Sequence, residues 1–203
     1  MDMFQGGTLQ MDYLANSSPV TNGRLSGFGG APKMGNGTGG RRHTTKAWCD
    51  MGAAEGSMAS GRKLVVQMIK SRSKFGPGFV PVLDAVDIGK KAGMEGAPVM
   101  VYGEDVTHVV TEQGVAYLYT AQTAEERTRI MAAVAQGTPL GDLVSRSEID
   151  TMRKAGKVAY PEDMAISADA ANHDLLAARS LEEIAAISGG LYEVPERFQK
   201  KPE

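Results

Sequence analysis

Apolar and polar residues alternate from Thr8 to Ala15, with Leu9, Met11 and Tyr13 set against Gln10 and Asp12. A period of two predicts a half-buried strand there. Asn16 to Asn22 (NSSPVTN) follows as a turn cluster. Beyond a glycine-rich run lie short apolar segments: Lys63 to Ile69, Phe79 to Leu83, Pro98 to Tyr102, Val106 to Thr111 and Gly114 to Tyr119. Each is rich in β-branched residues and bounded by Gly, Pro or charge, as buried or half-buried strands are. Pro81 lacks a backbone donor, which confines FVPVL to an edge or a bulge.

After residue 120 the period becomes helical. Thr123 to Gln136 opens on a Thr cap with Glu126 three residues on, and Gly137 and Pro139 stop it. Ser147 to Lys154 is a shorter helix ending at Gly156. Ser180 to Ile187 is a third, with Ser180 as cap, Glu183 at the third helical position and Gly189-Gly190 beyond. Asn172 to Ala178 is a further helical candidate. Strands early and helices late point to an α/β or α+β domain over residues 1–203, with a helical region from about 123 to 203. No helix-like connection stands out between the early strands, so the pattern leaves their order open. Because the first strand starts almost at once and needs neighbours, the natural chain is expected to continue upstream.

Composition narrows the function classes. The chain has 203 residues, 42% of them hydrophobic, enough to bury a sizeable core. Its net charge of −2 gives no global case for nucleic acid or acidic membranes. A single cysteine, Cys49, excludes an internal disulfide, and no metal-ligand spacing occurs. Apolar runs fall far short of the roughly 18 residues of a membrane span. No leader-like pattern opens the chain. These features fit a soluble cytoplasmic protein that binds no metal.

Three constellations can carry chemistry. Ser26 to His43 (SGFGGAPKMGNGTGGRRH) holds seven glycines in eighteen residues. Glycine lets backbone N–H groups approach a ligand, and successive N–H groups form a nest for an anion or a developing oxyanion, which places Gly29 and Gly30 at such a turn. The run is neither a phosphate-binding Walker loop nor a dinucleotide fingerprint, and a tight surface loop would explain the glycines equally well. Arg41, Arg42 and His43 close it; two guanidiniums beside permissive backbone suit a carboxylate or phosphodiester, and a solvated basic turn is the plainer alternative. Thr111-Glu112-Gln113-Gly114 puts a carboxylate at a strand end, where it can act as nucleophile, base or anchor for N–H groups. Glu104 and Asp105 lie one strand earlier and could extend it to a carboxylate cluster. Cys49 reads as a packed thiol, His108 as a half-buried satisfied histidine and His173 as a helix N-terminal residue.

Together SGFGGAPKMGNGTGGRRH, GRKLVVQMIKS, LDAVDIGKKAGM, APVMVYGEDVTHVVTEQGVAYL and LLAARSLEEIAAISGGLYEVPERF resemble the C-terminal part of malonate decarboxylase alpha subunits, in order and over essentially the whole chain. That family is similar to the citrate lyase alpha subunit in its task and to the CoA transferase superfamily in its fold. The resemblance implies an α/β, CoA transferase-like C-terminal half with a mainly parallel or mixed sheet, flanking helices and an open N-terminal edge where the upstream half docks. It implies a transferase that converts acetyl-S-carrier plus malonate into malonyl-S-carrier plus acetate. The carrier bears a phosphoribosyl-dephospho-CoA arm, and no cofactor is tightly bound. Partners implied are malonate, the acyl carrier protein, the decarboxylase subunits and the upstream half of the same subunit. By the same resemblance Gly29 and Gly30 form the oxyanion loop, while Asn36, Arg41, Arg42 and His43 contact substrate. TEQG is similar to a superfamily segment that is not the nucleophile, which gives Glu112 a positioning role and puts the nucleophilic glutamate upstream. A CoA transferase, a citrate lyase-type subunit and a non-catalytic docking domain are the competing readings.

Overall fold

The computed structural model describes residues 3–18, 20–21, 24–25, 64–74, 76–167, 179–187 and 196–198. The strands are β1 (Met3–Gly7), β2 (Gln10–Asp12), β3 (Ser17–Ser18), β4 (Val20–Thr21), β5 (Arg24–Leu25), β6 (Leu64–Met68), β7 (Arg72–Ser73), β8 (Gly76–Pro77), β9 (Phe79–Val80), β10 (His108–Val110), β11 (Val115–Tyr117) and β12 (Val158–Ala159). The helices are α1 (Asp84–Lys91), α2 (Ala124–Ala132), α3 (Arg146–Lys154) and α4 (Leu181–Ile187). Residues 1–160 form one compact unit and residues 161–203 another.

The first unit is built on a five-stranded sheet in the order β1-β6-β10-β11-β12. β1, β6 and β10 run parallel, and β11 and β12 are antiparallel additions, so the sheet is mixed as expected. Register puts Phe4, Val65, Val109, Ala116 and Val158 on one face, and all five are buried. Ile130 and Met131 of α2 and Ile149 of α3 are buried in the same core. β1 pairs only with β6, which makes it an edge strand among the described residues. A smaller sheet, β3-β2-β9, pairs Met11 with Phe79, two of the largest fully buried side chains. β9 sits at its edge and stops before Pro81, the position that lacks a donor.

The alternation from Thr8 to Ala15 does not form one strand. β2 ends at Asp12, whose carboxylate accepts the N–H groups of Leu14 and Asn16 at 2.9 Å, and Ala15 has φ of 67°. An Asp side chain that captures the following amides turns the chain where apolar periodicity would have continued it. The larger sheet takes Met3–Gly7 instead, because parallel pairing with β6 satisfies that backbone despite its two glycines. Pro98 to Tyr102 contributes only a bridge between Ser17 and Val101.

Helix α1 was not legible from pattern, and its cap shows why. Leu83 at the N-cap makes no side-chain cap, and the amide of Asp84 is instead received by Gln10 Oε1 at 2.7 Å, from a strand far away in sequence. α2 and α3 carry local signals. Thr123 Oγ1 accepts from Glu126 N at 3.1 Å, while the Glu126 carboxylate accepts Gln122 N at 2.7 Å. α2 ends at Ala132, earlier than Gln136, because the last residues tighten into i to i+3 turns before Gly137 at φ 77°. α3 begins at Arg146, one residue before the expected start, on a reciprocal Ser145–Glu148 capping box. In the second unit Ser180 Oγ accepts Glu183 N at 3.2 Å and opens α4. Asn172 to Ala178 lies outside the described residues.

Glu148 yields a pH prediction. Its carboxyl is lowered from 4.5 to about 2 by the amide and hydroxyl of Ser145 and then by Arg129. A depressed folded-state pKa adds stability above the unfolded value, and that stability fades as pH falls from 4.5 toward 2. Glu148→Gln is therefore expected to lower stability near neutrality and to flatten its decline between those limits. Urea unfolding across this pH range measures it; unchanged pH dependence would refute the assignment.

Candidate functional site

The segment Thr111–Gly114 links β10 to β11, and each of its residues has a defined task. Thr111 N donates to Gly114 O at 2.9 Å, closing the turn. A Cβ on Gly114 would stand 2.4 Å from the Ala159 carbonyl oxygen and 2.8 Å from the Tyr160 ring, so only glycine allows β12 this close. Thr111 Oγ1 donates to Val134 O at 2.8 Å and accepts Gln113 N at 3.0 Å. The Gln113 amide imitates a strand: Oε1 accepts Gln136 N at 2.9 Å and Nε2 donates to Gln136 O at 2.9 Å. The same Nε2 reaches Ser71 Oγ at 3.1 Å.

Glu112 faces the end of β6. Its Oε2 accepts the Ser71 amide at 2.9 Å and its Oε1 accepts the Ser71 hydroxyl. Partial burial pushes its pKa up, but the Ser71 hydroxyl and amide and the backbone amides of Glu112 and Arg72 outweigh that and hold the carboxyl below its ordinary value. An ionised carboxylate with its oxygens engaged in this way is a weak base and a weak nucleophile, and a strong anchor. Ser71 is 1% exposed, so the anchored group belongs to the interior. Ser71 was not singled out in the sequence, where it is one serine in a basic run.

The other expected contributors divide. Glu104 and Asp105 occupy a short turn before β10, whereas Glu112 follows it, so the strand holds them at opposite ends and no carboxylate cluster forms. His108 is half-buried on β10, with Nδ1 2.9 Å from Thr107 Oγ1 and its ring edge-on to Tyr117; burial lowers its pKa. Gly29, Gly30, Asn36, Arg41, Arg42 and His43 lie outside the described residues, as do Cys49 and His173. Among the described residues no group of three or more His, Cys, Asp or Glu could hold a metal, and no helix is long and apolar enough to cross a membrane.

A cavity of about 300 Å³ opens between α2 and α3, away from these residues. Glu126, Arg129, Glu148 and Lys157 wall it above Ile130 and Met152. Arg129 pairs with Glu148 and Lys157 with Glu126, so its charges are spent on joining α2 to α3 and to the residue that precedes β12.

Glu112 offers a direct test of anchoring. In Glu112→Gln an amide NH2 replaces one acceptor opposite the buried Ser71 donors, and leaving a buried donor unsatisfied costs about 1–3 kcal/mol. Ser71→Ala is expected to destabilise by less, since it removes a donor along with a bond. Equilibrium urea unfolding compares the two; wild-type stability in Glu112→Gln would show that the carboxylate anchors nothing.

Comparison with known proteins identifies the family of the chain. Residues 1–201 match the family described as "Malonate decarboxylase, alpha subunit, transporter". The chain is 45% identical over 205 aligned residues to a Malonomonas rubra protein named "Acetyl-S-ACP:malonate ACP transferase", covering 97% of this chain and 37% of that protein. It is similar in structure, with a TM-score of 0.74 and 50% identity, to a chain of a Pseudomonas malonate decarboxylase hetero-tetramer solved in complex with malonate, over 99% of this chain and 37% of that one. The malonate decarboxylase alpha subunit from Acinetobacter baumannii matches with TM-score 0.74 and 47% identity, over 98% of this chain and 37% of that one. The chain thus spans well under half the length of these relatives. By its profile, its sequence and its mixed α/β fold, the chain belongs to the malonate decarboxylase alpha-subunit family.

Proposed function

We propose that this chain is the C-terminal portion of an acyl-carrier-protein transferase of malonate decarboxylase, a single CoA transferase-like domain over residues 1–203. The observation that carries this reading is the 45% identity, across 97% of the chain, to a protein named for acetyl-S-ACP:malonate ACP transfer. The reaction exchanges acyl groups: the acetyl thioester of the carrier breaks, malonate is joined to the carrier sulfur, and acetate leaves. The carrier presents the thioester on a phosphoribosyl-dephospho-CoA arm. Decarboxylase subunits and the remainder of the same subunit are its partners, in the cytoplasm.

The chemistry assigns roles to the residues. Attack on a thioester carbonyl builds negative charge on its oxygen, and the N–H groups of Gly29 and Gly30 stabilise that charge most in the transition state. Arg41 and Arg42 hold the distal carboxylate of malonate, with Asn36 and His43 completing the contacts. Glu112 positions the strand ends and does not react. Its engagement by Ser71 supports that role, because a carboxylate held ionised by several donors is a poor nucleophile.

The test uses the full-length subunit with acetyl-carrier and malonate, following the product by mass spectrometry. Gly30→Val is expected to lower kcat about a hundred- to thousandfold, as loss of an oxyanion donor does, with little change in KM. Arg42→Ala is expected to raise the KM for malonate and leave that for the carrier nearly unchanged. Circular dichroism confirms folding first, since a glycine that needs positive φ can fail structurally. Wild-type kinetics in both folded variants would remove the loop from the site.

The 203-residue chain alone is expected to turn over poorly. If groups supplied by the remainder of the subunit orient the reactants, their loss forfeits much of the roughly 7–11 kcal/mol available from orientation. Full activity of the isolated chain would contradict this.

A further inference from the structure

Charge is segregated along this chain. Residues 56–83 carry five cations, Arg62, Lys63, Lys70, Arg72 and Lys74, and no carboxylate, although the whole chain has a net charge of −2. Three of the five cluster on one device, the β7–β8 hairpin that follows the carboxyl end of β6. Burial alternates at its entry: Ile69 and Ser71 are 5% and 1% exposed, while Lys70, Arg72 and Lys74 are all exposed.

The hairpin is held firmly at its base. Gly78 N donates to Ser71 O at 2.9 Å, and a Cβ on Gly78 would lie 2.2 Å from Lys70 O, so the two strands close as tightly as glycine permits. Gly78 O in turn accepts Met11 N at 2.9 Å, tying the base to β2. Glu112 fixes the same point through the amide and hydroxyl of Ser71. Gly76, at φ 115°, supplies the turn. A cationic tip on an anchored stem is presented without the ordering entropy that a loose basic loop would lose on binding.

Its position and spacing identify the partner chemistry. In open α/β sheets ligands bind outside the carboxyl ends of the parallel strands, the edge from which this hairpin rises. Lys70 and Lys74 are four residues apart, at most about 14 Å along the chain. A spacing of that order is wider than one phosphate and leaves room for about two turns of a helix, at about 5.4 Å each. Carboxylates spaced by one helical turn would meet successive cations.

We propose that the β7–β8 hairpin, through Lys70, Arg72 and Lys74, is a docking surface for an acidic helical face of a partner protein. Resting on the reading under Proposed function, that partner is the acyl carrier protein, seated so that its arm enters over the carboxyl ends of β6 and β10. The contact is electrostatic, and it acts on association and affinity rather than on the chemical step.

The experiment uses the full-length subunit, the carrier protein lacking its arm, and binding measured by fluorescence anisotropy at several salt concentrations. Lys70→Glu/Lys74→Glu is expected to weaken binding about tenfold or more at low salt and to flatten its salt dependence, because exposed charges are screened over about 10 Å at 0.1 M. In the transfer assay the variant raises the KM for the armed carrier by a similar factor and leaves kcat unchanged. Lys90→Glu/Lys91→Glu, two exposed cations at the end of α1, is the control that leaves binding unaltered. Wild-type affinity in the hairpin variant overturns the proposal. So does binding of the armed carrier with none of the arm-free protein, which would assign the cations to phosphates of the arm. Hairpin-dependent binding of the carrier without acyl transfer upholds the docking surface and sinks the transferase reading instead.

Discussion

The hydrogen bonding of β6 on both edges is the constraint on which the rest of the first unit depends. β1 and β10 pair with it in parallel, in one continuous register from Met3 opposite Leu64 to Val110 opposite Met68. Parallel strands need crossovers, so neither pairing can form locally. Thr107 strengthens the second: its hydroxyl accepts Val65 N at 2.8 Å, and its amide donates to Val65 O at 2.9 Å. A one-residue slip would carry Phe4, Val65 and Val109 to the open face, which the buried face forbids.

That register brings the chemistry-bearing segments together. Because β6 and β10 run the same way, their carboxyl ends lie side by side and Ser71 meets Glu112. Gln113 then joins this point to the loop after α2, through both backbone groups of Gln136. Gly114 and Gly78 allow the close backbone approaches on either side. The result is a rigid polar junction built from ordinary residues, one that fixes a basic hairpin relative to the strand ends. Its ionised carboxylate has a structural explanation that requires no reaction at Glu112.

How far pattern reading reached depended on how local each signal was. The caps of α2 and α4 were legible because a Ser or Thr and a Glu three residues later satisfy each other's surroundings within one turn. The core strand Leu64–Met68 was legible as a short β-branched run bounded by charge. Helix α1 was missed because its N-terminal amide is received by Gln10 across the fold, leaving no capping residue beside it in sequence. The expected strand from Thr8 failed for the opposite reason: a local Asp12 turn overrode an alternation that looked continuous. Ser71 had no mark at all, since its role exists only opposite Glu112.

By itself the sequence determined an α/β or α+β class and, to within a residue, where α2, α3 and α4 begin, while the resemblance of its motifs pointed to the family. Those follow from composition, period and motif order, which are properties of contiguous residues. Only the tertiary structure decided the strand order, the separation of Glu104 and Asp105 from Glu112, and the use of Glu112 as an anchor for Ser71. These depend on parallel pairing between segments far apart in the chain. No local free energy encodes such pairings, because their hydrogen bonds form only after the intervening chain has been ordered.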